Sequence, residues 1–213
     1  MSEPAAAATS MDARSCVLVP MKPFALAKSR LRAHLSDAAR EQLARTMLER
    51  VLDAARGCEL VDATYVITSG DDVARLARSA QLQVLHDPRP APLTLGHLID
   101  HGLRQLAVRG VTRAVVLMAD LPHLTSADVR ELCVALATSE LVISPDRHGR
   151  STNALGVQLP LPVATAFGAA DSFDQHVALA HTRQWRLHAL HNPRIAHDVD
   201  VPADLAGAGL PQP

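Results

Sequence analysis

The sequence predicts an α/β protein built on a mixed, mainly parallel sheet with helices on both faces. Two observations predict it. Short unbroken apolar runs recur, at CVLVP (16–20), ATYVITS (63–69), VVLM (115–118) and LVISP (141–145), and runs of that length bounded by turn residues read as strands buried on both faces. Segments with apolar residues every three to four positions alternate with them, as helices crossing between parallel strands do.

In chain order, residues 1 to 14 are a Ser, Ala and Pro mixture without periodicity, expected to be a disordered tail. Residues 15 to 213 are expected to form a single domain, since no repeat or linker interrupts them. After the strand at 16–20 comes the loop MKPFALAKSRL with Lys22, Lys28 and Arg30. Ser36 is a good N-cap, Leu43, Met47, Val51 and Ala55 repeat every fourth residue, and Gly57 closes that helix. A second strand at 63–69 leads through Gly70 to a helix opened by Asp71 and Asp72, then to a short strand Gln83–His86. DPRPAPLTLG, dense in proline, must be an extended loop. A helix from about Leu95 to Val108 precedes the strand at 115–118, and Thr125 or Ser126 caps a helix through Leu136. LVISP is followed by the polar loop and strand of DRHGRSTNALGVQL, a loop around Phe167 and Gly168, a helix from about Ser172 to His181, a strand WRLHAL (185–190) and the closing HDVDVPADL.

Composition bounds the chemistry. With 213 residues and 48% hydrophobic content the chain can bury one sizeable core, and with 2% aromatics that core is aliphatic. A net charge of -1 provides no long-range field to favour nucleic acid or an anionic membrane, so any phosphate binding is local. Cys16, Cys58 and Cys133 are scattered among apolar neighbours, which fits buried reduced thiols in a cytoplasmic protein rather than disulfides or a zinc site. The apolar runs are too short to span a membrane.

The stretch AVVLMADLPHL (114–124) ends its strand at Asp120, where ligands bind in open α/β sheets, and Pro122 stiffens the turn beyond. Asp120 either holds a metal or substrate or simply caps that turn. Lys22, Lys28 and Arg30 follow the first strand, and Asp198 and Asp200 stand near the C-terminus. Together these groups meet one physical need: cations neutralise a triphosphate while two carboxylates from distant segments hold Mg²⁺ against its oxygens. Separately, they read as a solvated loop and ordinary turn residues.

VPMKPFALAKSRL, ADLP, PDRHGRSTNAL, the FG and Ser before a His, and DVDVPADL together resemble the CofC/FbiD guanylyltransferases of coenzyme F-420 biosynthesis, over nearly the whole span from Val17 to Leu205. The resemblance implies a three-layer nucleotidyltransferase fold of the nucleotide-diphospho-sugar transferase type. It implies transfer of GMP from GTP to the phosphate of a three-carbon phospho-acid, namely phosphoenolpyruvate, 2-phospho-L-lactate or 3-phospho-D-glycerate, with Mg²⁺ as cofactor and release of pyrophosphate. Lys22 and Lys28, with Arg30 on the same loop, match the phosphate-binding segment. Asp120 matches the metal aspartate, with Asp200 favoured over Asp198 as the second ligand. Thr152, Gly168 and Ser172 match the positions that hold the acceptor, and His176, a histidine of the same motif, is expected to pack beneath the acceptor loop. Family analogy adds handover of the product to the next enzyme. A related nucleotidyltransferase with another nucleotide or acceptor, or a non-catalytic nucleotide-binding homologue, are the alternative readings.

The chain also departs from the family pattern. Where the family usually has Gly-Leu-Asn, this chain has Thr94, Leu95 and Gly96; where it has Gly-Thr-Asn, this chain has Ser151, Thr152 and Asn153; and the segment from Gly168 to Ser172 is one residue longer. His97 and His101 stand four apart on a helix, a metal-ligand spacing, but with 11 histidines and no third ligand nearby the pair needs no metal. His123 reads as a turn residue near the Asp120 site, and Trp185 as a core or interface residue.

Overall fold

The structure, a computed structural model, describes residues 14–86 and 94–205. Nearly all of the N-terminal segment expected to be a tail, and the proline-rich 87–93, lie outside the described residues.

The elements run β1 (Ser15–Pro20), α1 (Asp37–Arg56), β2 (Ala63–Thr68), α2 (Asp71–Ser79), β3 (Gln83–His86), α3 (Leu95–Val108), β4 (Arg113–Leu117), α4 (Ser126–Leu136), β5 (Leu141–Pro145), β6 (Thr152–Gln158), α5 (Ser172–Thr182) and β7 (Leu187–Ala189). Two single-turn helices, α6 (Pro193–Ala196) and α7 (Pro202–Leu205), close the described chain. Capping chemistry sets the ends: the Ser36 hydroxyl accepts from Ala39 N–H at the start of α1, and Thr125 and Asp128 form a reciprocal capping box on α4.

Among the described residues seven strands form one sheet in the order β3-β2-β1-β4-β6-β5-β7. All neighbours are parallel except β6, which runs antiparallel between β4 and β5. Alternate strand residues face opposite layers. Val17, Val19, Val115 and Leu117 pack under α1, α2 and α4, while Cys16, Leu18, Ala114 and Val116 pack under α3 and α5. The expected three-layer, mainly parallel α/β architecture is therefore observed. Among the described residues no helix is long and apolar enough to cross a membrane.

Topology places the site. From β1 the chain winds outward through β2 and β3, then returns to lay β4 against the other side of β1. The order reverses between β1 and β4, so the loops leaving their carboxyl ends splay apart over a crevice, the usual ligand position in such sheets. Those loops carry Lys28 and Asp120.

Candidate active site

The loop after β1 is held by its own turns and by its neighbours. Two short 3-10 turns, Phe24–Leu26 and Ser29–Leu31, flank Lys28. Asp72 of α2 accepts from Phe24 N–H at 3.1 Å, and buried Arg40 of α1 donates to the Ala27 carbonyl at 2.7 Å. Gly70 is needed beneath this loop, because a Cβ there would lie 2.8 Å from Pro23 Cα. Lys28 itself takes the left-handed conformation, φ 49° and ψ 39°. For a residue with a side chain this costs on the order of 1 kcal/mol and persists only where the surroundings compel it.

Lys28 Nζ donates to Asp120 Oδ2 at 2.5 Å and to Asp200 Oδ1 at 3.2 Å, and Arg30 donates to Asp200 Oδ2 at 2.8 Å. Burial by itself would lower the Lys28 pKa, but the charges and hydrogen bonds of Asp120 and Asp200 outweigh it and hold the ammonium above its ordinary value. Asp198 stands alongside. Its carboxyl is pushed up first by burial and then by the negative charge of Asp120, with a smaller contribution from Asp200; Asn153 Nδ2 approaches it at 3.4 Å.

An apolar plug brings the basic loop and the acidic pair together. Val199, between the two aspartates, is fully buried with Leu31, Leu43 and Met47, next to the basic loop. Burial of Val199 inward fits both flanking carboxylates facing the other way, as alternate residues do along extended chain. Asp204 then fixes Asp200: its carboxylate accepts from Asp200 N–H at 2.7 Å and Val201 N–H at 2.8 Å, and pairs with Arg147. Asn153 Nδ2 donates to the Ile195 carbonyl at 2.9 Å, tying the closing segment to β6.

Of the residues singled out in the sequence, Lys28, Arg30, Asp120 and Asp200 are thus in direct contact, and Asp198 is beside them. Lys22 is exposed and has no hydrogen bond or ion pair among the described residues. Thr152, Gly168 and Ser172 form a second group. Thr152 N–H donates to Ser172 Oγ at 3.0 Å, Ser172 begins α5, and Gly168 has φ +93° beside the first residues of α3. His123 packs edge-on against His197, ring centroids 5.0 Å apart. His101 Nε2 lies 2.5 Å from the Gln105 side-chain amide, one turn along α3.

Sequence reasoning missed Asp204 and Arg147. The signal was present in VPAD: proline at the first helical position and an acid two residues later, able to reach back to the N–H before the helix.

Chemically, three carboxylates crowd one end of the crevice, and their oxygens suit a hard cation such as Mg²⁺. The Asp198 carboxyl is held above its ordinary value first by burial and then by the negative charges of Asp120 and Asp200. Asp120 and Asp200 already converge on one cationic group, the Lys28 ammonium, although among the described residues no set of three or more His, Cys, Asp and Glu has metal-holding geometry. A pair of carboxylates is enough for Mg²⁺, which takes its remaining ligands from phosphates and water.

A family model described as "Guanylyl transferase CofC like" matches residues 15–208. The chain is 35% identical over 188 residues to a phosphoenolpyruvate guanylyltransferase of Chloroflexus aggregans, covering 86% of this chain and 91% of that protein. It is 34% identical over 181 residues to a 3-phospho-D-glycerate guanylyltransferase of Phenylobacterium zucineum, covering 84% and 82%. Among solved structures, a candidate nucleotide-diphospho-sugar transferase from Desulfovibrio desulfuricans G20 superimposes with a TM-score of 0.72 at 18% identity, covering 91% of this chain and 85% of that one. A 4-diphosphocytidyl-2C-methyl-D-erythritol synthase from Anaerococcus prevotii gives 0.63 at 10% identity, covering 92% and 94%. At these identities the structural likeness speaks for the fold alone.

Proposed function

This chain belongs to the CofC-like guanylyl transferase family, and from that premise we propose that it transfers GMP from GTP to the phosphate of a three-carbon phospho-acid, releasing pyrophosphate. The observation that carries the reading is the meeting of Lys28 with Asp120 and Asp200 at the crevice between β1 and β4.

An oxygen of the acceptor phosphate, already an anion at neutral pH, attacks the α-phosphorus of GTP. As that bond forms, the bond to the oxygen bridging the α- and β-phosphates breaks, and its electron pair leaves with pyrophosphate. No protein nucleophile is needed, so the residues bind, align and neutralise. Lys28 brings a buried ammonium to the phosphates, and exposed Lys22 and Arg30 add charge from the same loop. Asp120 and Asp200, in preference to Asp198, would hold Mg²⁺, which when bound draws charge from the phosphate oxygens.

Thr152, Gly168 and Ser172 hold the acceptor. Two hydroxyls and a backbone N–H bind an anion without adding charge, and Ser172 lies at the positive end of α5. Acceptor choice lies among phosphoenolpyruvate, 3-phospho-D-glycerate and 2-phospho-L-lactate. The reading extends to coenzyme F-420 biosynthesis in the cytoplasm, with handover of the product to the enzyme that consumes it.

Pyrophosphate release tests the proposal, measured with Mg²⁺ and GTP, ATP or CTP against each of the three acceptors. Acceptor-dependent release with GTP supports it and names the acceptor. Release with another nucleotide alone, or none from folded protein, contradicts it.

A further inference from the structure

His176 is fully buried at the second turn of α5, between the two halves of the acceptor group. Its Nε2 accepts from Ala166 N–H at 2.9 Å, and its Nδ1 lies 3.0 Å from Thr152 Oγ1. The Phe167 ring meets the imidazole edge-on, centroids 5.2 Å apart. A neutral imidazole has one N–H. Since Nε2 accepts from a backbone donor, the proton is on Nδ1; Nδ1–H donates to the Thr152 hydroxyl oxygen, with the Ser172 carbonyl one turn back as a second acceptor, and so Nδ1 cannot accept from Thr152.

That assignment fixes the direction of the whole chain of hydrogen bonds. Thr152 Oγ1 accepts from His176, so its own proton is left to donate. Ser172 Oγ accepts from Thr152 N–H, so its proton is also left to donate. Among the described residues neither proton, nor the Gly168 N–H, is spent on a protein acceptor. The other contact of the ring, to Ala166 N–H, pins the loop that carries Gly168. One side chain thus sets the polarity of the hydroxyl and the position of the loop.

We propose that His176 is a positioning residue for the acceptor: by donating from Nδ1 to Thr152 and accepting at Nε2 from Ala166, it turns Thr152 into an obligate donor toward the acceptor anion and anchors the Gly168 loop around it. The proposal rests on the reading of Thr152, Gly168 and Ser172 as the acceptor site. Charged and polar groups facing the ring from the packed elements fit a neutral imidazole. Thr152 comes from β6 and the Ala166 N–H from the preceding loop; the Ser172 carbonyl lies one turn back on α5, and Asp100 of α3 is bound to Thr165 N–H instead. Burial correspondingly drives the His176 pKa down, to about 4, with the Ser172 carbonyl opposing.

The test is steady-state kinetics on the full chain. His176→Phe should raise KM for the acceptor at least about tenfold, the size of one lost hydrogen bond to a charged group, with KM for GTP within about twofold. His176→Asn, whose side-chain amide can still donate to Thr152, should recover part of the loss. In a Thr152→Val background, His176→Phe should raise the acceptor KM by a smaller factor than it does in the wild type, because the shared hydroxyl is gone and only the loop contact to Ala166 remains to be lost. A reduced kcat with unchanged acceptor KM, or fully additive effects, would overturn the positioning role. If His176→Phe does not fold, ¹⁵N chemical shifts of the wild-type ring decide: Nδ1 protonated and Nε2 bare is expected, and the opposite tautomer or an imidazolium at neutral pH overturns it. Absence of transfer from wild-type protein with every acceptor would instead remove the reading of the site itself.

Discussion

Lys28 and Asp120 lie 92 residues apart in the chain and meet at 2.5 Å over the carboxyl ends of adjacent strands. With Asp200 this forms a site in which one ammonium bridges two carboxylates, Arg30 also pairs with Asp200, and Asp198 stands beside them. Removing the cation leaves partly buried carboxylates facing one another. Lys28→Met is therefore expected to cost about 3 kcal/mol of stability at neutral pH, measured by urea denaturation. Added Mg²⁺ should recover part of the loss. Turnover should fall by about 100-fold or more.

Asp204 acts one step further out. Its carboxylate is 2% exposed and takes the N–H groups of Asp200 and Val201 as well as the Arg147 guanidinium. Asp204→Ala strips all three partners and should destabilise by about 3 kcal/mol. It should also raise the Mg²⁺ concentration needed for half-maximal activity, since Asp200 loses the anchor on its own backbone. Titration of activity against Mg²⁺ in the two proteins checks this.

Gly96 bears on the departure from the family pattern. A Cβ there would stand 2.8 Å from the Phe167 carbonyl oxygen, a backbone atom that a rotamer change cannot clear. The first turn of α3 and the Phe167–Gly168 loop are packed too closely for any side chain at position 96. Gly96→Asn is expected to destabilise by about 2 kcal/mol, as overpacking does, and to weaken acceptor binding rather than improve nucleotide binding. Thermal unfolding and KM for both substrates would show it.

The fold stabilises His176 in its neutral form, and the direction of the pH effect follows. Its pKa falls from 6.5 to about 4 on folding. Between those values the unfolded chain binds a proton that the folded chain does not, so stability declines as pH falls through this window. Below about 4 both states are protonated and the contribution is flat; above 6.5 it is present in full. The whole effect is roughly 3 kcal/mol. His176→Phe should unfold with a shallower dependence on pH from 6.5 to 4; an identical slope would contradict the assignment.

How far the sequence could be read depended on the range of the interactions. Ser36 and Gly57 bound α1 through contacts within one turn, and both ends are where local chemistry puts them. The pattern predicts the last strand over 185–190; it spans Leu187–Ala189 as an edge strand pairing only with β5, with Arg186 and Leu190 still hydrogen-bonded to β5 just outside its ends. The single turn α6 was not foreseen, for Pro193–Ala196 is too short to show a period. Nothing local told that β6 would insert antiparallel between β4 and β5. Within the site, Lys28, Asp120 and Asp200 were legible as charges at strand ends, but that one ammonium joins them was not. The two bonds of His176 come from the partners β6 and the 165–168 loop supply, and spacing along the chain does not reveal them.

Pyrophosphate release from GTP in the presence of the preferred acceptor, compared between wild type and Asp120→Asn, decides whether the crevice between β1 and β4 is the site of transfer. The substitution keeps shape and a hydrogen-bonding oxygen while removing the charge that both Lys28 and a metal would need. A loss of at least about 100-fold in kcat/KM, with folding retained, is predicted; turnover equal to wild type would contradict the assignment of this site.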